Sequence, residues 1–471
     1  MKTKILVLSV FLVTILMLKS EIKVASVLGD NMVLQRNTEV KIWGTTTPLE
    51  KISVKTDWGK STSMTTADNS GHWMVKIKTT EAGGPFNIKI AAAKESITLK
   101  NILLGEVWLC SGQSNMEMPV NGYTDQPIAG MNDALYDSEN DNIRLFTVKK
   151  NATTTVLENC DGNWNLANAE TVGKFSAVGY FYAKLLQKRL KVPVGIICSS
   201  WGGTPIEAWM SEETIKKFPV PYEESTKSDV KPQNKAAQLY NGMIAPLINY
   251  TIKGAIWYQG EANVRNYNYY ADLMSAMIQN WRTDFGVGQF PFYFVQIAPY
   301  RYKGSKDLPS ALLRDEQLKA NLAIPNTGMA CTFDIGDEYC IHPDNKLTVS
   351  KRLAYWALSE TYGVKGISYK SPIFKSMTVK DSVATITFDN VANGLNSFGK
   401  QVECFEVSGQ DSIFYPAKVT VSQRTALVKS ELVKVPVAVR YGYCNFPKTK
   451  GYLYNTAGLP VPSFRTDNWR K

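Results

Sequence analysis

Histidine is scarce in this chain, and the cysteines lack the spacing of a structural metal site. His72 and His342 are the two histidines among 471 residues. The seven cysteines form no CxxC pair, which argues against a zinc site and leaves one or two disulfides as an option. HExxH, Walker A and GxGxxG motifs are also missing, so we expect neither a metal nor a nucleotide cofactor.

A long apolar run is missing beyond residue 20, so we expect no membrane span in the mature protein. Residues 1–20 have two early lysines, an apolar run over residues 5–18, and then Lys19 and Ser20. This pattern predicts a secretory signal peptide, and an uncleaved anchor helix is the alternative. We therefore expect an exported protein, either periplasmic or secreted.

Dense blocks of one charge are missing as well. The formal net charge is +11, but the basic residues are dispersed along the chain. A nucleic-acid-binding protein more often concentrates its lysines and arginines in a patch or stripe. We therefore expect no nucleic-acid partner.

The chain divides into three regions after the signal segment. Residues 21–102 show short β-rich runs at about ten-residue spacing, which predicts a small antiparallel β domain. Residues 103–365 alternate apolar strands with helical periodicity at 178–186 and 270–278, which predicts a parallel α/β sheet. Residues 366–471 return to a β-rich pattern. The five predicted buried strands are 103–110, 192–198, 252–258, 292–298 and 328–333.

Polar clusters follow four of these strands. Ligands bind outside the carboxyl ends of the strands in such sheets, so the clusters are expected at one edge. They supply a serine, glycine amides that a ligand can approach closely, side-chain amides and a histidine near acids. Acyl transfer needs these groups as nucleophile, oxyanion donors, general base and orienting acid. The clusters are 111–116 (SGQSNM), 199–204 (SSWGGT), 259–263 (QGEAN) and 334–337 (DIGD), the last leading to His342.

Each cluster by itself is more often a simple turn, and only their conjunction points to a site. His72 has no neighbouring motif and is expected to be structural. The GxSxG elbow of α/β-hydrolases is absent, because Gly112-Gln113-Ser114 continues with Asn115.

The stretches GQSNM, SSWGGTPIEAW, WYQGEAN and DIGD…IHP resemble the SGNH-hydrolase superfamily, in particular the sialate O-acetylesterase family. VLGDNMVLQR near the start and LLRDEQ at 312–317 extend this resemblance over most of the chain. It implies a flavodoxin-like, three-layer α/β/α SGNH hydrolase domain with accessory N-terminal and C-terminal β-rich regions. It also implies metal-free hydrolysis of O-acetyl esters on a sugar or glycan.

The resemblance assigns roles to individual residues. Ser114 matches the nucleophile, and its own amide matches one oxyanion donor. Gly203, with Gly202 as the alternative, matches the second donor. Gln259 is preferred as the third donor and Asn263 is the alternative. His342 matches the general base.

The acidic partner of His342 is the point at which the sequence departs from the family. Relatives place aspartate three or two residues before the histidine, where this chain has Tyr339 and Cys340. Asp334 is the preferred candidate because a strand end positions a side chain better than a loop does. Asp337 is the alternative, Glu338 a further candidate, and a Ser-His dyad is also compatible with the sequence.

The predicted substrate is an O-acetylated sugar, with sialic acid ahead of acetylated xylan. A non-catalytic carbohydrate-binding protein is the alternative from another class, and a lipase is disfavoured because no apolar lid-like segment follows the motifs. Trp257 and Tyr258 are expected in the core. The candidate substrate contacts are Trp201, Glu207, Glu261 and Arg265, with Trp209 as a further aromatic.

Overall fold

The computed structural model describes residues 21–302 and 308–469. The predicted signal peptide, residues 1–20, lies outside the described residues. The N-terminal region contains β1 (Lys23–Val24), β2 (Val33–Gln35), β3 (Glu39–Thr45), β4 (Lys51–Thr56), β5 (Thr62–Thr66), β6 (His72–Lys78), β7 (Gly83–Ala91) and β8 (Ser96–Gly112).

The middle of the chain alternates helices and strands. Its elements are α1 (Ser114–Glu117), α2 (Met131–Tyr136), β9 (Asn140–Thr147), β10 (Trp164–Ala167), α3 (Ala169–Gly173), α4 (Ala177–Leu190), β11 (Val194–Ser200), α5 (Glu212–Ile215), α6 (Pro219–Thr226), β12 (Gly254–Tyr258), α7 (Tyr270–Phe285), β13 (Phe292–Val295), α8 (Pro309–Ala323), β14 (Thr327–Ala330) and α9 (Lys346–Trp356). Short 3-10 or π-helical segments cover Ile206–Trp209, Pro232–Asn234, Tyr240–Ile244, Ala245–Leu247, Glu261–Tyr269 and Ala357–Thr361.

The C-terminal region is made of strands. They are β15 (Ile373–Lys380), β16 (Val383–Asp389), β17 (Leu395–Asn396), β18 (Phe405–Ser408), β19 (Phe414–Pro416), β20 (Lys418–Ser422), β21 (Thr425–Lys429), β22 (Ala438–Tyr441), β23 (Tyr454–Asn455) and β24 (Phe464–Arg465). Two antiparallel sheets, β15-β16-β21-β20 and β19-β18-β22-β24, pack around their own hydrophobic cluster, which includes Phe388, Phe405 and Phe464.

The central sheet has the order β9-β11-β8-β12-β13-β14 with every neighbouring pair parallel. The parallel α/β prediction is therefore confirmed, and the five predicted strands correspond to β8, β11, β12, β13 and β14. The sequence does not predict β9 or the edge strand β10, which pairs antiparallel with β9.

Side chains along each central strand alternate between two hydrophobic clusters. In β8, Val107 and Leu109 pack in the cluster that contains Met277 of α7. Trp108 and Cys110 pack in the cluster that contains residues of α4 and α9. This burial on both faces explains why the strands read as continuous apolar runs rather than as alternating ones.

The predicted helices at 178–186 and 270–278 are confirmed as parts of α4 and α7. Ser176 caps α4 by accepting a 3.0 Å hydrogen bond from the Gly179 amide. Gly286, in the left-handed conformation with φ of 63°, ends α7. No helix of residues 21–302 and 308–469 is long and apolar enough to cross a membrane.

Strand β8 links the N-terminal β region to the central sheet. Its first half pairs antiparallel with β7, residues 106–112 pair in parallel with β11, and residues 108–112 pair in parallel with β12. The predicted boundary between residues 102 and 103 therefore falls inside a strand. Because Gly112 is in register with both Ser200 and Tyr258, the loops after β8, β11 and β12 leave the sheet at one edge.

Candidate active site

Ser114 and His342 meet at the carboxyl edge of the central sheet. Ser114 is the first residue of α1, two residues after the end of β8, and its Oγ lies 2.7 Å from Nε2 of His342. Gly112 permits this tight exit, because a Cβ at its position would lie 2.1 Å from the Tyr258 carbonyl oxygen and its φ is +138°. A serine hydroxyl hydrogen-bonded to an imidazole is the arrangement that activates a nucleophile.

The second nitrogen of His342 is held by a glutamine. Nδ1 of His342 lies 2.5 Å from Oε1 of Gln126. The Tyr123 ring and the imidazole form a T-shaped pair with 5.4 Å between ring centroids. An amide oxygen only accepts hydrogen bonds, so Nδ1 carries the proton and Nε2 is free to accept the serine proton.

Asp334, the preferred acidic partner, is engaged elsewhere. Its two carboxylate oxygens accept hydrogen bonds of 2.7 and 2.8 Å from Arg352 of α9. Both side chains of this pair are buried. The prediction that Asp334 holds His342 therefore needs correction: the strand end positions the carboxylate well, but an arginine of the next helix occupies it.

The two loop acids have other partners as well. Oδ1 of Asp337 accepts hydrogen bonds of 2.7 Å from the amides of Tyr339 and Cys340. Glu338 forms a 3.4 Å ion pair with Lys448. Among the described residues no carboxylate is hydrogen-bonded to His342, and the loop acids instead shape the chain that presents it.

The environment keeps His342 neutral. Burial lowers its pKa, and the nearby ammonium of Lys346 lowers it further, to about 4. An imidazole with this pKa is unprotonated at neutral pH. It is therefore ready to act as a base, and an imidazolium formed during a reaction gains little from its surroundings.

A buried polar network lies behind the Ser-His pair. Asn115 donates through Nδ2 to Glu261 Oε1 at 2.5 Å and to the Ile341 carbonyl at 3.0 Å. Lys346 donates to Asn115 Oδ1 at 2.5 Å and to the Pro343 carbonyl at 2.8 Å. Burial lowers the pKa of Lys346 to about 7 and raises that of Glu261. The network ties the segments on both sides of His342 to the residue after the nucleophile.

Backbone amides next to Ser114 are available as oxyanion donors. The Gly202 amide donates to the Glu117 carboxylate at 2.5 Å, and Glu117 in turn forms an ion pair with Lys150. Neither Ser114 nor Gly203 has a backbone N–H acceptor within the part of the chain that the structure describes. Gly203, rather than Gly202, is therefore the glycine with a free amide.

The two candidates for the third donor contact each other. Nε2 of Gln259 donates to the Thr204 carbonyl at 3.1 Å and to Asn263 Oδ1 at 2.7 Å, which uses both amide protons. Nδ2 of Asn263 donates to Glu207 Oε2 at 2.8 Å, and its second proton has no acceptor among the described residues. The hydrogen bonds therefore favour Asn263, whereas the sequence favoured Gln259.

The candidate substrate residues fall into two groups. Trp201 is half-buried with the Lys150 ammonium 5.5 Å from its ring centroid, and Arg265 is exposed. Glu207 is 3% exposed and bound to Asn263. The predicted contact between Glu207 and a sugar therefore needs correction, because the Glu207 carboxylate is buried and hydrogen-bonded within the protein. Glu261 belongs to the network behind His342, and Trp209, Trp257 and Tyr258 are core residues.

All seven cysteines are unpaired, so neither of the disulfides left open by the sequence is formed. Residues 21–302 and 308–469 contain no group of three or more potential metal ligands of the His, Cys, Asp and Glu types.

Residues 104–358 match the family model described as carbohydrate esterase, sialic acid-specific acetylesterase. The chain belongs to this family. The sialate O-acetylesterase of Homo sapiens is 33% identical over 93% of this chain and 91% of its own length. The Pongo abelii sialate O-acetylesterase is 32% identical with the same coverage. A crystal structure of a carbohydrate acetylesterase from Xanthomonas citri is 35% identical, with a TM-score of 0.87 over 95% of this chain and all of that one.

Membership in the sialic acid-specific acetylesterase family makes this protein a carboxylic ester hydrolase. The sequence motifs predicted Ser114 and His342, which the structure brings into contact, but they did not point to Gln126, Tyr123 or Lys346. Gln126 lies in NGYTDQP, which matches none of the motifs, and Lys346 stands four residues after His342 in HPDNK. The one signal for Gln126 was indirect, since Cys340 stands where an acid was expected.

Proposed function

We propose that this protein hydrolyses O-acetyl esters on carbohydrates, with O-acetylated sialic acid as the substrate, through an acetyl-enzyme formed on Ser114. The 2.7 Å hydrogen bond between Ser114 Oγ and His342 Nε2 carries this proposal. The names of the curated relatives support the substrate, and the amides of Ser114 and Gly203 support stabilisation of a developing oxyanion.

The proposed reaction has two halves. Ser114 Oγ attacks the acetyl carbonyl carbon while His342 takes its proton, and the same proton then passes to the departing sugar oxygen. Water then attacks the acetyl carbonyl carbon while His342 takes its proton, and this proton passes to Ser114 Oγ as the ester bond to Ser114 breaks and acetate leaves. The amides of Ser114 and Gly203, with Asn263 as the third donor, would hold the oxyanion in both halves. No metal or cofactor takes part in this scheme.

We also propose that the sheet belongs to a flavodoxin-like, three-layer SGNH domain at 103–365, with accessory β regions at 21–102 and 366–471. The parallel strand order and the alternation of side chains between two clusters support it. The pattern of residues 1–20 supports export. The amino-terminal sequence of the protein recovered outside the cytoplasm would test export, with cleavage near residue 20 expected.

Hydrolysis of p-nitrophenyl acetate tests the nucleophile. We expect Ser114→Ala to lose at least 1,000-fold in turnover, while Ser61→Ala, at an exposed turn, keeps the wild-type rate. Unchanged turnover in Ser114→Ala would overturn the proposal and favour a non-catalytic carbohydrate-binding protein.

Acetate release from two natural substrates tests the specificity. We expect a higher kcat/KM on O-acetylated sialic acid than on acetylated xylan. The reverse order would assign the same machinery to an acetylxylan esterase.

A further inference from the structure

We propose that Gln126 is the positioning residue of the general base, so that this enzyme works with a Ser114-His342-Gln126 triad in which an uncharged amide replaces the carboxylate. This inference rests on the proposed esterase function. The 2.5 Å contact between Gln126 Oε1 and His342 Nδ1, on the side of the ring opposite Ser114, carries it.

The amide oxygen selects the useful tautomer of His342. With Oε1 as the acceptor, Nδ1 is protonated and Nε2 presents its lone pair to Ser114 Oγ. The Cys340 Sγ lies 3.2 Å from the His342 carbonyl oxygen and 3.7 Å from the same Oε1, so its single S–H can donate to either of these acceptors. A reversed amide would present N–H groups to both neighbours and would impose the tautomer that cannot accept the serine proton.

The backbone around Gln126 is fixed on three sides. The amides and carbonyls of Tyr123 and Gln126 exchange two 3.0 Å hydrogen bonds, which close a tight turn with Asp125 at a φ of +58°. The Tyr123 hydroxyl donates to the Ser114 carbonyl at 3.3 Å. The Ala129 amide donates to the Asp344 carbonyl at 3.1 Å, beyond His342. The turn is therefore connected to the nucleophile and to the loop that carries the base.

The charged groups around His342 either bind other partners or are exposed to solvent. On its own loop, Asp337 binds two backbone amides and Glu338 binds Lys448. Near the site, Glu117 binds Gly202 and Lys150, and Glu261 binds Asn115. Asp125, next to Gln126, and Asp344, two residues after His342, are exposed. Lys346, on α9, is the cation that disfavours the imidazolium. Within residues 21–302 and 308–469 no carboxylate is hydrogen-bonded to Nδ1 of His342, which contacts the uncharged amide of Gln126.

Two substitutions separate positioning from charge. Gln126→Met keeps the approximate volume and removes the acceptor. We expect kcat to fall about 10- to 1,000-fold, which is less than the loss of about 10,000-fold seen when a triad aspartate becomes asparagine.

Gln126→Glu adds a carboxylate at Nδ1. An opposite charge at this distance raises a histidine pKa by about 1–3 units, so the acid limb of kcat/KM should move to higher pH by that amount. Gln410→Met and Gln410→Glu, at an exposed turn, are the matched controls.

The scarcity of histidine allows a direct measurement of the tautomer. In protein with 15N-labelled histidine and His72→Gln, the remaining signals belong to His342. We expect the Nδ1–H tautomer in this background and a mixture or the Nε2–H tautomer once Gln126→Met is added.

The outcomes distinguish this inference from the proposed function. If Ser114→Ala and His342→Ala abolish turnover while Gln126→Met keeps kcat within twofold and the same tautomer, the esterase stands and the role of Gln126 is overturned. If Ser114→Ala retains turnover, the proposed function fails. An unchanged acid limb in a folded, active Gln126→Glu variant also overturns the triad, since it would show that residue 126 does not reach the ring.

Discussion

The ammonium of Lys346 donates a 2.5 Å hydrogen bond to Asn115 Oδ1, and both side chains are fully buried. Asn115 follows the nucleophile directly, and Lys346 stands four residues after the base. The contact therefore joins α1, which carries the nucleophile, to the start of α9, which follows the loop that carries the base. Burying an ammonium costs free energy unless it is well paired, so this contact should leave a measurable pH dependence.

Lys346→Met should change how stability depends on pH. Burial lowers the pKa of Lys346 from 10.5 to about 7, so between these values the unfolded chain binds more protons than the native one. The contribution of Lys346 to the free energy of unfolding therefore rises with pH in this window, by at most about 1.4 kcal/mol per pH unit. In urea unfolding at pH 7–10, the free energy of unfolding of the wild type should increase relative to that of Lys346→Met as the pH rises.

Lys351→Met, at an exposed position of the same helix, is the control. Its free energy of unfolding should depend on pH in the same way as that of the wild type. A difference between wild type and Lys346→Met that stays constant over this range would contradict a lowered pKa for Lys346.

The acid limb of activity should reflect the low pKa of His342. Because burial and Lys346 lower this pKa to about 4, kcat/KM should be level near neutrality and fall below about pH 4 as the imidazole is protonated. Lys346→Met removes the nearby positive charge, so its limb should move to higher pH. Stopped assays with p-nitrophenyl acetate at pH 3.5–7 would show this, and a limb that moves to lower pH would contradict it.

Asp334→Asn should reduce stability far more than catalysis. Asp334 and Arg352 form a buried bidentate ion pair, and removing one partner of such a pair costs about 3–5 kcal/mol. We expect a loss of that size in urea unfolding and less than a tenfold change in kcat. Asp467→Asn breaks a comparable buried pair with Arg440 in the C-terminal region and is the matched control. A loss in kcat for Asp334→Asn but not for Asp467→Asn would show that Asp334 does take part in catalysis.

The sequence predicted the sheet and the Ser-His pair, but not the residue that holds the base. Strands buried on both faces and their polar ends are local patterns, so β8, β11, β12, β13 and β14 could be read directly. Gln126 lies 216 residues from His342 and is not of the acidic type expected there.

The prediction that Asp334 holds His342 was wrong for a related reason. Asp334 lies 18 residues before Arg352, and periodicity does not define which side of α9 faces the strand end. Contacts between distant segments, and residue types that differ from the family pattern, could be found only in the folded structure.

The third oxyanion donor can be identified by comparing Asn263→Ala with Gln259→Ala. One amide proton of Asn263 has no acceptor in the described part of the chain, whereas Gln259 donates both of its protons to Thr204 and Asn263. Removing an oxyanion donor typically costs about 100- to 1,000-fold in kcat, and we expect this loss for Asn263→Ala. Gln259→Ala should lose less in kcat and more in the free energy of unfolding, because it leaves buried partners unpaired. If neither variant loses tenfold in kcat, the third donor lies elsewhere.

The paired glycines should respond differently to alanine. A Cβ at Gly202 would lie 3.2 Å from the Cβ of Ser114 and 3.3 Å from Glu117 Oε2, whereas a Cβ at Gly203 meets no atom within 4 Å but its φ is +74°. Gly202→Ala should therefore displace the nucleophile and lower kcat by about tenfold or more, since small misplacements in an active site are costly. Gly203→Ala should cost about 1–2 kcal/mol of stability through its left-handed backbone and should retain more of kcat. Steady-state kinetics and urea unfolding of both variants would check this, and a larger kcat loss in Gly203→Ala would show that the Gly203 amide tolerates no shift.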